Sequence, residues 1–207
     1  MPGMGASPKI FEYLKFPVFY EIVFLSWILP FEKEPLSNYA KRMSEFVKHK
    51  NPILIGVSFG GILVQEMTKY IKCDKIIIIS SIKSRDELSG VMKISSVLGL
   101  HRLIPSYLIR NIESLVHLFY GSKMKKKFLL YRKYFTVRDP AYILWAINCI
   151  VNWRGIIIEN KLIHIHGNID RIFKIKKIKH PYIKINGDHA IIITRHEWFN
   201  DFLSKEI

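Results

Sequence analysis

Asn51-Pro52-Ile53-Leu54-Ile55-Gly56-Val57-Ser58-Phe59-Gly60-Gly61-Ile62-Leu63-Val64 begins as a short apolar run and passes through two spaced glycines into helical spacing. The run 53–57 reads as a buried strand, and 61–71 as an amphipathic helix. Between them the G-x-S-x-G order of Gly56, Ser58 and Gly60 describes a sharp strand-to-helix turn. A side chain at Gly56 or Gly60 would crowd the flanking strand or helix. Such a turn holds the Ser58 hydroxyl exposed at a helix N-terminus, where backbone N–H groups stabilise developing negative charge.

Outward from this turn, apolar runs alternate with amphipathic stretches. Residues 19–28, 75–81, 162–166 and 182–185 read as strands, the second carrying four consecutive isoleucines. Residues 35–49 read as a helix, with Ser37 as its cap and Tyr39, Met43, Phe46 and Val47 on its buried side. Residues 191–203 close the chain as a helix that packs through Ile192, Trp198, Phe199 and Phe202. This alternation predicts an α/β fold with a mainly parallel sheet flanked by helices. Between 82 and 155 the rhythm changes to helical stretches around 91–100, 107–119, 123–135 and 141–151. The simplest arrangement is a core formed by 1–81 and 156–207, with 82–155 inserted as a helical cap. A pair of ordinary crossover helices with solvated basic faces is the plainer alternative.

Composition narrows the function. The chain has 207 residues, 49% hydrophobic and 24% charged, which suits one folded domain. Lys and Arg number 32 against 17 Asp and Glu, a formal charge of +15. The 82–155 segment holds 13 basic and 4 acidic residues, or +9. With 34 Ile against 5 Ala, and 23 Lys against 9 Arg, A/T-rich codon usage explains the basicity about as well as a polyanionic partner does. No zinc finger, RNP-like or helix-turn-helix pattern accompanies the charge, so nucleic acid is not an expected partner. The Lys123–Lys127 cluster reads as a solvated helix face before a binding site. No apolar run reaches the ~18 residues of a membrane span, residues 16–31 being interrupted by Pro17, Glu21 and Pro30. No signal-peptide pattern opens the sequence. Cys73 and Cys149 stand alone, which excludes a disulfide scaffold and a cysteine zinc site and fits a cytoplasmic protein.

A serine hydroxyl needs a base, and the base an orienting acid. Leu162-Ile163-His164-Ile165-His166-Gly167-Asn168-Ile169-Asp170 is a strand ending in a turn that carries Asp170. Tyr182-Ile183-Lys184-Ile185-Asn186-Gly187-Asp188-His189 is a second strand ending in a loop that carries His189. Ser58, Asp170 and His189 therefore each follow a strand, at the sheet edge where open α/β proteins place their sites. Asp188 competes with Asp170, although its side chain should diverge from adjacent His189, and His196 competes with His189. His164 and His166 share one face of a strand; without a third ligand, a packed or hydrogen-bonded pair is preferred to a metal site.

With these motifs in place, the chain resembles the α/β-hydrolases of the capped esterase, lipase and thioesterase type. The resemblance rests on Gly56-Val57-Ser58-Phe59-Gly60-Gly61, the His166-Gly167-Asn168-Ile169-Asp170 turn and the Gly187-Asp188-His189 loop, with Pro2-Gly3-Met4-Gly5-Ala6-Ser7 similar to the family's oxyanion loop. It implies Ser58 as nucleophile, His189 as general base and Asp170 as its orienter, with the backbone N–H groups of Met4 and Phe59 as the oxyanion hole. The family usually has His-Gly where this chain has Pro2-Gly3; because the donors there are backbone groups, the change does not exclude activity. It also implies cleavage of a carboxylic ester or thioester with an apolar acyl group, and no cofactor or metal. Leu98, Leu103, Tyr107, Leu115, Phe119, Trp145 and Trp153 are candidates to wall an acyl pocket or to pack within the cap. The basic cap would suit an acidic acyl carrier or a weak membrane-surface contact. The same fold also serves acyl transfer, carbon–carbon cleavage and non-enzymatic binding. Finally, the family's central strand precedes its oxyanion loop, so the N-terminal strands are expected to be missing from this chain. Either the sheet closes differently, or, the preferred reading, Met1 is an internal methionine and the edge of strand 53–57 is a gap.

Overall fold

The computed structural model of the chain describes residues 1–103, 132–158 and 162–207. Its centre is a four-stranded, all-parallel sheet in the order β1 (Ile53–Val57), β2 (Lys75–Ile79), β3 (Leu162–Gly167) and β4 (Ile183–Ile185). The isoleucine run explains why β2 is central. A parallel strand is covered on both faces, so it needs no alternation with polar residues. Ile76 and Ile78 enter one core with Phe59, Ile62 and Leu63, whereas Ile77 and Ile79 enter a second core with Ile165, Ile191 and Phe199. Strand pleating thus feeds two cores from one uninterrupted apolar run.

The first core lies under α1 (Leu36–Ser44), α2 (Phe59–Met67) and α4 (Pro140–Asn152); α3 (Gly90–Leu98) packs against α4. The second lies under α5 (Ile191–Thr194), α6 (His196–Glu206) and the 3-10 turn Pro8–Phe11. The expected strand and helix positions hold for β1 to β4, α1, α2, α3 and α4. The expected helices 107–119 and most of 123–135 lie outside the described residues, as do Tyr107, Leu115, Phe119 and Lys123–Lys127. Among the described residues no helix is long and apolar enough to cross a membrane.

Three expectations are corrected. Residues 19–28 form no strand. The outer edge of β1 is engaged instead by the chain's first residue: Met1 N donates to the Ile55 carbonyl (2.7 Å), and Val57 N–H donates to the Met1 carbonyl (3.1 Å). The aromatic run has no ladder there to join and is held by side chains. Trp27 Nε1 donates to the Gly3 carbonyl (2.8 Å), Tyr39 brackets Ile28 through both backbone groups (2.9 and 3.1 Å), and Phe24 stacks on Phe11. The expected gap beside β1 is thus filled in part. Beyond Met1 it continues as a cavity of about 310 Å³ bounded by Ile22, Phe24, Leu25, Ile53 and Ile55. Second, α1 is capped by Pro35 without a side-chain bond, not by Ser37, because proline already fixes the helix-entry backbone; Phe46 lies beyond the helix end and is exposed. Third, the closing helix is broken at Arg195 (φ −129°), whose Nε donates to the Asn186 carbonyl (2.6 Å).

Removing one β2 side chain should test the two-core arrangement. Ile78→Ala is expected to cost about 2–5 kcal/mol in urea unfolding, because the residue is fully buried. Val91→Ala, on the exposed face of α3, should change stability by no more than about 0.5 kcal/mol.

Candidate active site

Because all four strands run parallel, the loops following β1, β3 and β4 emerge at the same sheet edge. The structure brings Ser58, His189 and Asp170 together there. The Ser58 hydroxyl is 2.8 Å from His189 Nε2, and His189 Nδ1 is 2.7 Å from Asp170 Oδ2. Carboxylates accept, so His189 carries its proton on Nδ1 and leaves Nε2 as the acceptor for the serine proton.

Ser58 occupies a backbone conformation unusual for a non-glycine residue, φ 52° and ψ −120°. Two bonds fix it. Ser58 N–H donates to the Ile79 carbonyl (2.8 Å), and Ser81 Oγ donates to the Ser58 carbonyl (2.7 Å). The glycines admit the close approaches that this turn requires. A Cβ at Gly56 would stand 2.3 Å from the Gly60 carbonyl oxygen, and one at Gly60 would stand 2.3 Å from the Pro2 oxygen. Phe59 opens α2, so its N–H has no carbonyl within that helix to reach. Gly3 lies against Ser58, where an added Cβ would be 3.4 Å from Ser58 Cβ. Ala6 N–H donates back to the Gly3 carbonyl (3.0 Å), with Gly5 at φ 71°, closing a turn whose second residue is Met4.

Asp170 is buried yet well supplied with donors. Its Oδ1 accepts the N–H groups of Ile172 (2.8 Å) and Phe173 (3.0 Å), leaving Oδ2 for His189. The Phe173 ring stands edge-on to the His189 imidazole at 5.7 Å. The competing groups are engaged elsewhere: Asp188 Oδ1 accepts from Ala190 N–H, and His196 packs on Tyr13.

His164 and His166 are hydrogen-bonded to each other (2.9 Å), as the pair reading expected. Among the described residues no three His, Cys, Asp or Glu side chains gather as metal ligands would. Trp145 and Trp153 belong to the main core; Trp145 meets Phe59 edge-on and Trp153 Nε1 donates to Glu66 (2.6 Å). Leu98 and Leu103 are exposed. Sequence reasoning missed Ser81, Trp27 and Phe173, whose roles depend on long-range contacts that no local motif announces. It also missed Glu87 and His180, which extend the histidine pair: His180 bonds His164 (2.8 Å) and Glu87 (2.7 Å).

No family model and no curated protein sequence matches the chain. Solved structures do match across its length. They include a lipase-esterase related protein from Clostridium acetobutylicum (16% identity, TM-score 0.60, covering 100% of this chain and 92% of that one). A thermophilic esterase from Thermogutta terrifontis matches at 11% identity and TM-score 0.64, over 99% and 86% of the two chains. A hydrolase from Oleispira antarctica matches at 11% identity and TM-score 0.71, over 99% and 88%. At such identities the likeness concerns the fold, and the fold of this chain is that of the α/β-hydrolases.

Burial also makes the site's surroundings sensitive to acid. Desolvation pushes His164 well below its ordinary value of 6.5 and lowers His166 as well. Desolvation alone would raise Glu87, but hydrogen bonds from His180 and from the Lys83 and Lys179 N–H groups hold it below the usual carboxylate value. Below pH 6.5 the unfolded chain therefore binds protons that folded His164 and His166 refuse, so the stability these two groups contribute is complete above that pH and falls as pH drops. Glu87 adds to the loss below pH 4.5. Urea unfolding at pH 7, 6 and 5 should show this decline, with a slope approaching about 1.4 kcal/mol per pH unit for each excluded proton.

Proposed function

We propose that the chain is a serine hydrolase that cleaves carboxylic esters or thioesters with an apolar acyl group through an acyl-enzyme. The observation that carries this reading is the unbroken hydrogen-bonded line Ser58–His189–Asp170, with Ser58 in a strained turn at the head of α2. His189 Nε2 takes the serine proton as Oγ attacks the acyl carbonyl. The backbone N–H groups of Phe59 and Met4 stabilise the resulting oxyanion. His189 then passes its proton to the departing alcohol or thiol and activates the water that releases the acid. Asp170 holds the imidazole in the required tautomer and stabilises it while charged.

We read 82–155 as the cap that supplies acyl contacts. Its helix α4 reaches the site's supports, since Gly5 N–H donates to Tyr142 Oη (3.3 Å) and Trp145 packs on Phe59. The positive charge suits a phosphate-bearing acyl carrier.

A fluorophosphonate probe should label the native chain rapidly at Ser58. Ser58→Ala and His189→Ala should not be labelled, and Asp170→Asn should react about 10³–10⁴-fold more slowly. Equal labelling of Ser58→Ala and the parent would remove the nucleophile assignment. Across p-nitrophenyl esters from acetate to decanoate, kcat/KM should rise with acyl length, since burial contributes about 0.8 kcal/mol per methylene. A flat profile would refute the apolar pocket.

A further inference from the structure

The Gly3 carbonyl and the Met4 N–H belong to one trans peptide unit, which is planar. The two groups therefore point in opposite directions, and whatever holds the oxygen also aims the N–H. Two donors hold this oxygen, Ala6 N–H at 3.0 Å and Trp27 Nε1 at 2.8 Å. They differ in kind. The Ala6 bond closes the turn upon itself and moves with it, whereas the buried Trp27 bond ties the peptide unit to the rest of the fold. The turn's other external bonds fall on either side of this unit. Met1 is fixed to β1 through Ile55 and Val57, and Gly5 and Ser7 are fixed through Val137, Tyr142 and Tyr134. Among the described residues no other group outside the turn hydrogen-bonds Gly3 or Met4.

Trp27 also reaches the head of α2. Its ring stacks on that of Phe59, with centroids 5.0 Å apart and planes 8° from parallel. One indole thus joins the two segments that carry the Met4 and Phe59 N–H groups. Neither N–H meets a protein acceptor among the described residues, so both are left to a ligand. The indole is itself held in place. Tyr142 packs on it at 5.4 Å and Tyr39 at 6.2 Å, and Tyr39 Oη bonds both backbone groups of the next residue, Ile28. Its N–H is therefore aimed before any substrate arrives.

We infer that Trp27 is a positioning residue of the hydrolytic site: by bonding the Gly3 carbonyl, its indole N–H directs the Met4 N–H toward the oxyanion formed at Ser58, while its ring holds Phe59 alongside. The peptide unit borders the reacting oxygen, since a Cβ on Gly3 would lie 3.4 Å from Ser58 Cβ and 4.0 Å from its Oγ. An external hold is needed there. Gly3 lacks the side chain that would restrict rotation of the unit, and a turn's internal bond does not secure it, because many turns lack that bond. The Trp27 bond also polarises the amide, so that a carbonyl accepting on one side makes the N–H on the other a stronger donor. Both effects grow as negative charge develops. They favour the transition state over the bound ester and so act on kcat, not on KM.

This inference rests on the serine-hydrolase reading for its kinetic consequence, but the bond itself can be tested without it. Benzothienylalanine in place of Trp27 sets sulfur where the N–H stood and keeps the size and stacking of the ring. In that variant the Gly3 carbonyl ¹³C and Met4 ¹⁵N resonances should move upfield. Unmoved resonances overturn the proposal even if Ser58 is active. With a p-nitrophenyl ester, kcat should fall about ten-fold at parent KM; losing an oxyanion donor outright costs about 10²–10³-fold, and here the Ala6 bond remains. A trifluoromethyl ketone reports the same step. Ser58 Oγ adds to its carbonyl carbon, the serine proton passes to His189, and the carbonyl oxygen becomes the oxyanion. Its affinity should fall about ten-fold, in step with kcat, while the methyl ketone of the same chain length, bound without an adduct, should bind as before. Trp27→Phe, which also shortens the ring, should lose at least as much kcat; should it not fold, the isostere still decides. Parent-like kcat in the isostere, or a loss that falls on KM alone, overturns the proposal. If Ser58→Ala labels like the parent, the functional reading fails, and the Gly3 and Met4 resonances still decide whether Trp27 holds the turn.

Discussion

A non-glycine residue held at positive φ, between the end of β1 and the start of α2, is the constraint to which the rest of this molecule answers. Such a backbone costs of order 1–3 kcal/mol and persists only where its neighbours over-determine it. Here the neighbours are β2, which takes the Ser58 N–H through Ile79, and Ser81, which takes its carbonyl. Both bonds depend on β2 being held firmly, and β2 is held because its isoleucines enter cores on both sides of the sheet. The strain at one serine is therefore supported by burial distributed over the whole domain. Gly56, Gly60 and Gly61 let the flanking backbones, Pro2 and Ser81 approach to distances that no Cβ would allow.

Much of this was legible because the decisive signals are local. The apolar runs at 53–57 and 75–79 can only be buried strands at that length, and the glycine spacing around Ser58 imposes a tight turn. Asp170 and His189 were readable because each sits just past a β-rich run, and a parallel sheet delivers all such positions to one edge. The 19–28 segment misled for a related reason: aromatic and β-branched residues fit a pleated surface, but strand formation also needs a partner. Met1 engages that edge of β1, and Trp27 and Phe24 are used in packing instead. The break at Arg195 is equally invisible locally, since it follows from a bond to a carbonyl nine residues upstream. The extended histidine pair could not be read beyond His164 and His166, because Glu87 and His180 arrive from separate loops.

The site can be understood as two independently built halves that meet at one imidazole. The elbow belongs to β1, β2 and α2, packed in the first core. The acid loop belongs to β3, where Asp170 receives two backbone N–H groups and His189. A buried carboxylate without such donors would be costly to keep ionised. With them, one oxygen is fully occupied by its own loop and the other is left to face His189.

His189 itself is held from three directions, by Ser58 at Nε2, Asp170 at Nδ1 and the Phe173 ring against its edge. Two of those three depend on the short turn from Asp170 to Phe173, so small displacements of that turn are passed directly to the imidazole. Within the turn, the Phe173 carbonyl has no role toward Asp170, and its partner comes from His166 on β3. The strand that delivers Asp170 thus also supplies, four residues earlier, the side chain that bonds the loop carrying it. Fixing these groups relative to the strand, and not only relative to one another, is what lets a short loop hold the 2.7 Å contact between Asp170 and His189.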